Sequence, residues 1–227
     1  MAQRRHHYEN AFEHYLRARR IPYVSVDEAR KALLPDAGPL CAPDGLAGAF
    51  GGVKPGRAIK SFDFVVYGEG ANLLIDIKGR KIARRSGAGV GAARSRLDSW
   101  ATRDDVDSLL TWRRLFGAGF DAALVFVYWC DDQPPDGLFQ EVFTHRERWY
   151  AVRAVLLDAY VGAMKTRSAK WRTVHVPVDE FERISQPFCG SGLDLRPGPR
   201  SGRAGEPFPG IPPKGALQPR TGPISSE

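Results

Sequence analysis

The chain has 227 residues, 43% of them hydrophobic, enough for one domain with a substantial core. Its formal net charge is +7 and its pI about 9.5, which suits an anionic partner such as nucleic acid. Cys41, Cys130 and Cys189 are odd in number and too widely spaced for a disulfide scaffold or a zinc pattern, and the longest apolar run, 122–130, is too short to cross a bilayer. A reducing cytoplasm is the expected compartment, since MAQRRHHYEN opens polar, without the pattern of a signal peptide. Part of the basic excess lies at the end of the chain, where Arg196, Arg200, Arg203, Lys214 and Arg220 face only Glu206 and Glu227.

Residues 6–20 read as an amphipathic helix, with Tyr8, Ala11, Phe12, Tyr15 and Leu16 on one stripe and Pro22 ending it. Glu9 projects roughly 20° from Leu16, at the rim of that stripe, and is either a half-buried functional carboxylate or an ordinary surface glutamate. Glu13 lies further toward solvent. His6 and His7 are adjacent and cannot share a helix face, so a metal site with His14 is not expected. A short strand at 21–26, a short helix at 27–34 capped by Asp27, and a long Gly-, Pro- and Ala-rich loop at 35–57 follow.

Two acidic strands come next. IKSFDFVVY, 59–67, carries Asp63 among hydrophobes, and Gly68-Glu69-Gly70-Ala71-Asn72 makes a hairpin-type connection to LLIDIKG, 73–79. Strand alternation sends Leu73, Ile75 and Ile77 to one face and Leu74, Asp76 and Lys78 to the other. Asp63 and Asp76 on paired strands, with Lys78 beside them, form a candidate divalent-metal site.

The stretch 79–96 is basic and glycine-rich, and reads either as a mobile loop whose Arg80, Lys81, Arg84 and Arg85 meet phosphates or as a solvated linker. Its GAGVGA formally matches a dinucleotide fingerprint, but the required hydrophobic strand does not precede it. Residues 102–116 predict a helix with a Thr102/Asp105 capping box and a stop at Gly117, and its helix dipole suffices to explain Asp104, Asp105 and Asp107. AALVFVYWC, 122–130, predicts a buried central strand. Beyond a turn at 131–137, strands are expected at 138–143 and 149–155, with 160–170 ambiguous. An edge strand at 171–176 and a last helix at 178–184 complete the expected domain, 1–188; the Pro/Gly/Arg-rich tail, 189–227, is expected to be disordered. The five tryptophans read as core or sheet-packing residues rather than base-stacking platforms.

The order is a helix with Glu9, a strand with Asp63, a strand with Asp76-x-Lys78, then helix and strand. It resembles the PD-(D/E)xK nuclease superfamily, and within it the archaeal-type Holliday junction resolvases, over about residues 6–130. The opening HYENAFE, 7–13, also resembles the motif of an uncharacterised bacterial HYExAFE family. The first resemblance implies an α/β fold of restriction-endonuclease type, a mixed central sheet flanked by helices in αβββαβ order. It implies a metal-dependent endonuclease acting on DNA, structured or branched DNA included, and a homodimer. Mg²⁺ or Mn²⁺ would be held by Asp63, Asp76, the Ile77 carbonyl and Glu9, all hard oxygen donors. Lys78 would position or deprotonate the attacking water, or stabilise the transition state. A nuclease-fold protein that binds nucleic acid without cutting it is the alternative, and an interaction module with incidental basic charge the third reading.

Overall fold

The computed structural model describes residues 3–33, 38, 40–42, 56–68, 72–82, 97–131 and 141–188. All of them fall in the first of two compact units, Met1–Arg196. Most of the 35–57 loop, the hairpin tip at 69–71, the segment 83–96 with Arg84 and Arg85, the 132–140 turn and the tail lie outside the described residues.

The described chain is a mixed α/β structure. Its elements are α1 (Gln3–Ala18), β1 (Tyr23–Ser25), α2 (Val26–Leu33), β2 (Phe64–Val66), β3 (Asn72–Ile82), β4 (Ala101–Thr102), α3 (Arg103–Phe116), β5 (Phe120–Cys130), β6 (Val142–His145), β7 (Arg148–Leu156), α4 (Leu157–Ala163), β8 (Lys165–Ser168), β9 (Thr173–His175) and α5 (Val178–Ile184). A six-stranded sheet runs β1-β2-β3-β5-β7-β6. The β1-β2-β3 part is antiparallel, β5 is parallel to β3, and β7 and β6 return antiparallel. This is a central mixed sheet with helices on both faces; with α2 inserted after β1, and β4 belonging to another sheet, its elements α1-β1-β2-β3-α3-β5 follow the expected αβββαβ order.

Each face of the sheet has its own core, because the central strands alternate two apolar sets. Leu73, Ile75, Val125 and Val127 pack with Ala11, Phe12, Tyr15 and Leu16 of α1. Leu74, Leu124 and Phe126 pack with Val106, Leu109 and Leu110 of α3, Tyr160 of α4 and Phe181 of α5. Each such side chain, withdrawn from water, contributes roughly 1.5–3 kcal/mol before chain entropy is subtracted. Even-numbered β3 residues thus share the α3 face, and odd-numbered ones the α1 face.

Three expectations need correction. The acidic strand expected over 59–67 is only Phe64–Val66; Asp63 sits in a bend just before it, its N–H donating to Ile75 O and its carbonyl accepting from Val26 N–H. β3 does not end at Lys78 but continues through Gly79, Arg80 and Lys81 to Ile82, because β5 offers an unbroken parallel partner from Asn72↔Phe120 to Ile82↔Cys130. The strand expected at the edge near 171–176 is β9, the middle strand of a second, three-stranded sheet β4-β9-β8.

Candidate active site

β3 sets the site. Alternation places Asp76, Lys78 and Arg80 in one row on the α3 face, following Leu74 out of the core. Asp76 is 9% exposed. Asp63 reaches the same place from the bend before β2, and its Oδ2 accepts a 2.6 Å hydrogen bond from the Ile77 N–H. That bond fixes the carboxylate against β3. Burial and the neighbouring Asp76 charge push the Asp63 carboxyl well above the ordinary range, against the pull of the Ile77 N–H; Glu9 adds to the push. Burial also raises Asp76, although Lys78 opposes it. Two buried carboxyls crowd one another here.

The lysine is held from two sides. Lys78 Nζ lies 2.7 Å from Asp76 Oδ2 and 3.1 Å from Asp105 Oδ2. Burial alone would lower its pKa, but Asp76 and Asp105 overcome that and raise it, so Lys78 is an ammonium at neutral pH. Asp105 is the N3 residue of α3. Thr102 Oγ1 accepts from the Asp105 N–H at 3.1 Å, and Asp105 Oδ2 accepts from the Thr102 N–H at 3.1 Å. The same carboxylate takes Lys60 Nζ on its other oxygen, at 2.8 Å. Against the cost of burial, Lys78, Lys60 and Thr102 hold Asp105 far below the usual carboxylate range. The expectation that capping alone explains Asp105 is therefore too narrow: the cap also orders the site's lysine.

Glu9 comes from α1, on the opposite face, yet lines the same cleft. Gly79 makes this approach feasible. A Cβ there would overlap the Tyr8 ring, so the missing side chain lets the first turns of α1 lie directly on the strand. Arg80 is also in the cleft, but tied down: Nη1 donates to Gly79 O at 2.6 Å, Nη2 donates to Trp100 O, and its guanidinium lies 3.9 Å from the Trp100 ring centroid. Lys81 points to the other face, 3.1 Å from Asp131 and 4.5 Å from the Trp129 ring.

Together these groups line a cleft of about 490 Å³ that holds Glu9, Asp63, Asp76, Lys78, Arg80 and Asp105. Among the described residues no three His, Cys, Asp or Glu side chains stand as a ready metal-binding group. The donor chemistry nevertheless fits a hard divalent cation: Asp63, Asp76 and Glu9 are oxygen donors, and burial, with crowding by a second carboxylate at Asp63, makes the charged forms of Asp63 and Asp76 costly without a cation beside them. The sequence signals for Asp105, Lys60 and Gly79 were weak. Their roles depend on contacts between β3, α1 and α3, which no local spacing displays.

No protein-family model matches the chain, and no curated protein matches it. Several solved structures do. One is the Holliday junction resolvase Hjc of the archaeal hyperthermophile Archaeoglobus fulgidus, with a TM-score of 0.32 and 13% sequence identity over 56% of this chain and 70% of that one.

Proposed function

We propose that this chain is a metal-dependent endonuclease that hydrolyses phosphodiester bonds in DNA. The observation that carries the reading is the meeting of Asp63, Asp76 and an ammonium at Lys78 in one cleft, with Glu9 at its rim. Asp63, Asp76, Glu9 and the Ile77 carbonyl would hold Mg²⁺ or Mn²⁺. Bound there, the ion would supply a more acidic water and neutralise charge developing on the phosphoryl oxygens.

The protein's own groups have separable parts. The Ile77 N–H keeps the Asp63 carboxylate turned toward Asp76. Lys78, an ammonium in the metal-free fold, would offset charge developing on the non-bridging oxygen as water attacks phosphorus. Asp105 is a positioning residue that keeps Lys78 in line with Asp76. Arg80, fixed by Trp100, presents a guanidinium to a neighbouring phosphate. The net charge of +7 supports an anionic polymer as substrate.

Metal binding tests the reading directly. Titration of Mn²⁺ into wild type should give saturable binding that Asp63→Asn and Asp76→Asn each weaken at least tenfold. Equal binding by wild type and both variants would overturn it. Metal binding without turnover on any DNA would favour the second reading, a nuclease-fold protein that binds nucleic acid without cutting it.

A further inference from the structure

The most exposed large apolar side chain among the described residues is Trp171, at 72%. It stands at the turn between β8 and β9, outside the half of the chain that carries the site. Its backbone is ordered: the Trp171 N–H donates to Ser168 Oγ at 3.3 Å, and the next residue's carbonyl, Arg172 O, accepts from Arg103 N–H at 2.8 Å, tying the turn to the start of α3. Lys170 Nζ lies over one side of the indole, 5.6 Å from the ring centroid, and the ring is otherwise open to solvent as a platform. This corrects the expectation that all five tryptophans pack in the core or on the sheet.

The hairpin is also uniformly cationic. Lys165, Arg167, Lys170 and Arg172 carry it, and 165–175 contains no acid. The acids that face it come from elsewhere: Asp104 of α3 pairs with Arg172 at 3.1 Å, Asp107 of α3 also feels Arg172, and Glu180 of α5 feels Lys165. Among the described residues, Arg167 and Lys170 have no carboxylate partner. Arg167 is the extra residue of a bulge, where the register steps from Thr166↔Val174 to Ser168↔Thr173. Its guanidinium lies 5.4 Å from the Trp100 ring, the same ring that Arg80 meets from the cleft at 3.9 Å. β9 itself pairs with Thr102 and Ala101, beside the cleft wall. Arg80 on the cleft side and Arg167 on the hairpin side thus meet at the Trp100 ring, and the hairpin carries the positive charge on through Lys170 to an exposed indole.

We propose that the β8–β9 hairpin binds DNA next to the cleft and seats an unpaired base on Trp171, with Arg167 and Lys170 on the flanking phosphates. Aromatic platforms beside cationic tracks suit single strands, because every base has a π face, whereas a blunt duplex offers no free base to stack. The proposal rests on the reading of the cleft as a DNA site and narrows its substrate to DNA with unpaired nucleotides near the point of cleavage.

The test is binding, read in EDTA so that cleavage plays no part. Fluorescence anisotropy compares labelled single-stranded, tailed-duplex and blunt-duplex DNA for wild type, Trp171→Ala, Trp171→Phe and the pair Arg167→Gln/Lys170→Gln. Trp171→Ala should weaken single-stranded and tailed DNA binding by roughly 5- to 100-fold and leave blunt duplex unchanged. Trp171→Phe should restore most of the loss. The double charge variant should flatten the dependence of log affinity on log salt by about 1.4 for single strands. Unchanged single-strand binding by Trp171→Ala, or an equal loss on blunt duplex, overturns the proposal. The two readings fail separately. A chain that cuts nothing, yet depends on Trp171 for binding, sinks the nuclease alone; one that cuts and ignores Trp171 sinks the hairpin alone.

Discussion

Replacing Asp105 with alanine removes one carboxylate that serves both a helix cap and the site's lysine. At 3.1 Å and an effective dielectric of about 20, the attraction between Asp105 and Lys78 is about 5 kcal/mol before desolvation is subtracted. The net loss is smaller, because Asp76 still holds Lys78 at 2.7 Å. The Lys60 contact is half exposed on the lysine side and adds little. Loss of the capping carboxylate adds roughly 0.5–1 kcal/mol. A total near 2–3 kcal/mol follows, which lowers the thermal midpoint of a chain this size by roughly 4–12 °C. The assay is urea unfolding in EDTA, followed by tryptophan fluorescence, for wild type, Asp105→Ala, Lys78→Met and the double variant. The two sites should couple by about 1–3 kcal/mol. Asp105→Asn, which keeps an acceptor for the Thr102 N–H, should recover the capping part and not the coupling. Coupling below about 0.5 kcal/mol would refute the claim that the cap positions the lysine.

Three further outcomes are expected. Because Asp63 and Asp76 titrate above their ordinary values in the metal-free fold, their own contribution to stability is present at acid pH and is lost as pH rises through the folded values, opposite in sign to that of Asp105. Asp63→Asn, still able to accept from the Ile77 N–H, should therefore raise the midpoint in EDTA by about 2–4 °C at alkaline pH, with the gain shrinking as pH falls; a loss at alkaline pH contradicts the sign. Gly79→Ala drives a methyl into the Tyr8 ring and should cost about 1–3 kcal/mol in urea unfolding, with part of the loss recovered by adding Tyr8→Ala; a neutral single variant means α1 does not rest on the strand. Ser99 Oγ donates to Val176 O at 2.8 Å and accepts from Val176 N–H at 3.1 Å, so Ser99→Ala strands two buried backbone groups and should cost about 1–3 kcal/mol, read by thermal unfolding.

Where chemistry is local, the sequence displays it. Periodicity marks α1 and β5, the Thr102/Asp105 spacing marks the start of α3, and Gly117, at φ 75°, marks its end. The two-faced alternation of β3 places Asp76 and Lys78 together without any knowledge of the fold. What escaped depends on distant partners. β4 is two residues long and exists only through β9, so the second sheet leaves no pattern of its own, and β9 reads as an edge. Gly79-Arg80-Lys81 looks like loop by composition, but β5 extends beside it and keeps it a strand. Asp105 has a complete local explanation as a cap, which hides its contact with a lysine 27 positions earlier.

The central claim is tested most directly by cleavage. Wild type and Asp76→Ala would be incubated side by side with labelled linear duplex, single-stranded, tailed and four-way-junction DNA, in Mg²⁺, Mn²⁺ and EDTA. The account predicts cutting by wild type in metal, none in EDTA, and none by Asp76→Ala despite a native unfolding curve. Cutting that survives in EDTA or in Asp76→Ala, or a folded wild type that binds Mn²⁺ and cuts no substrate, would contradict it.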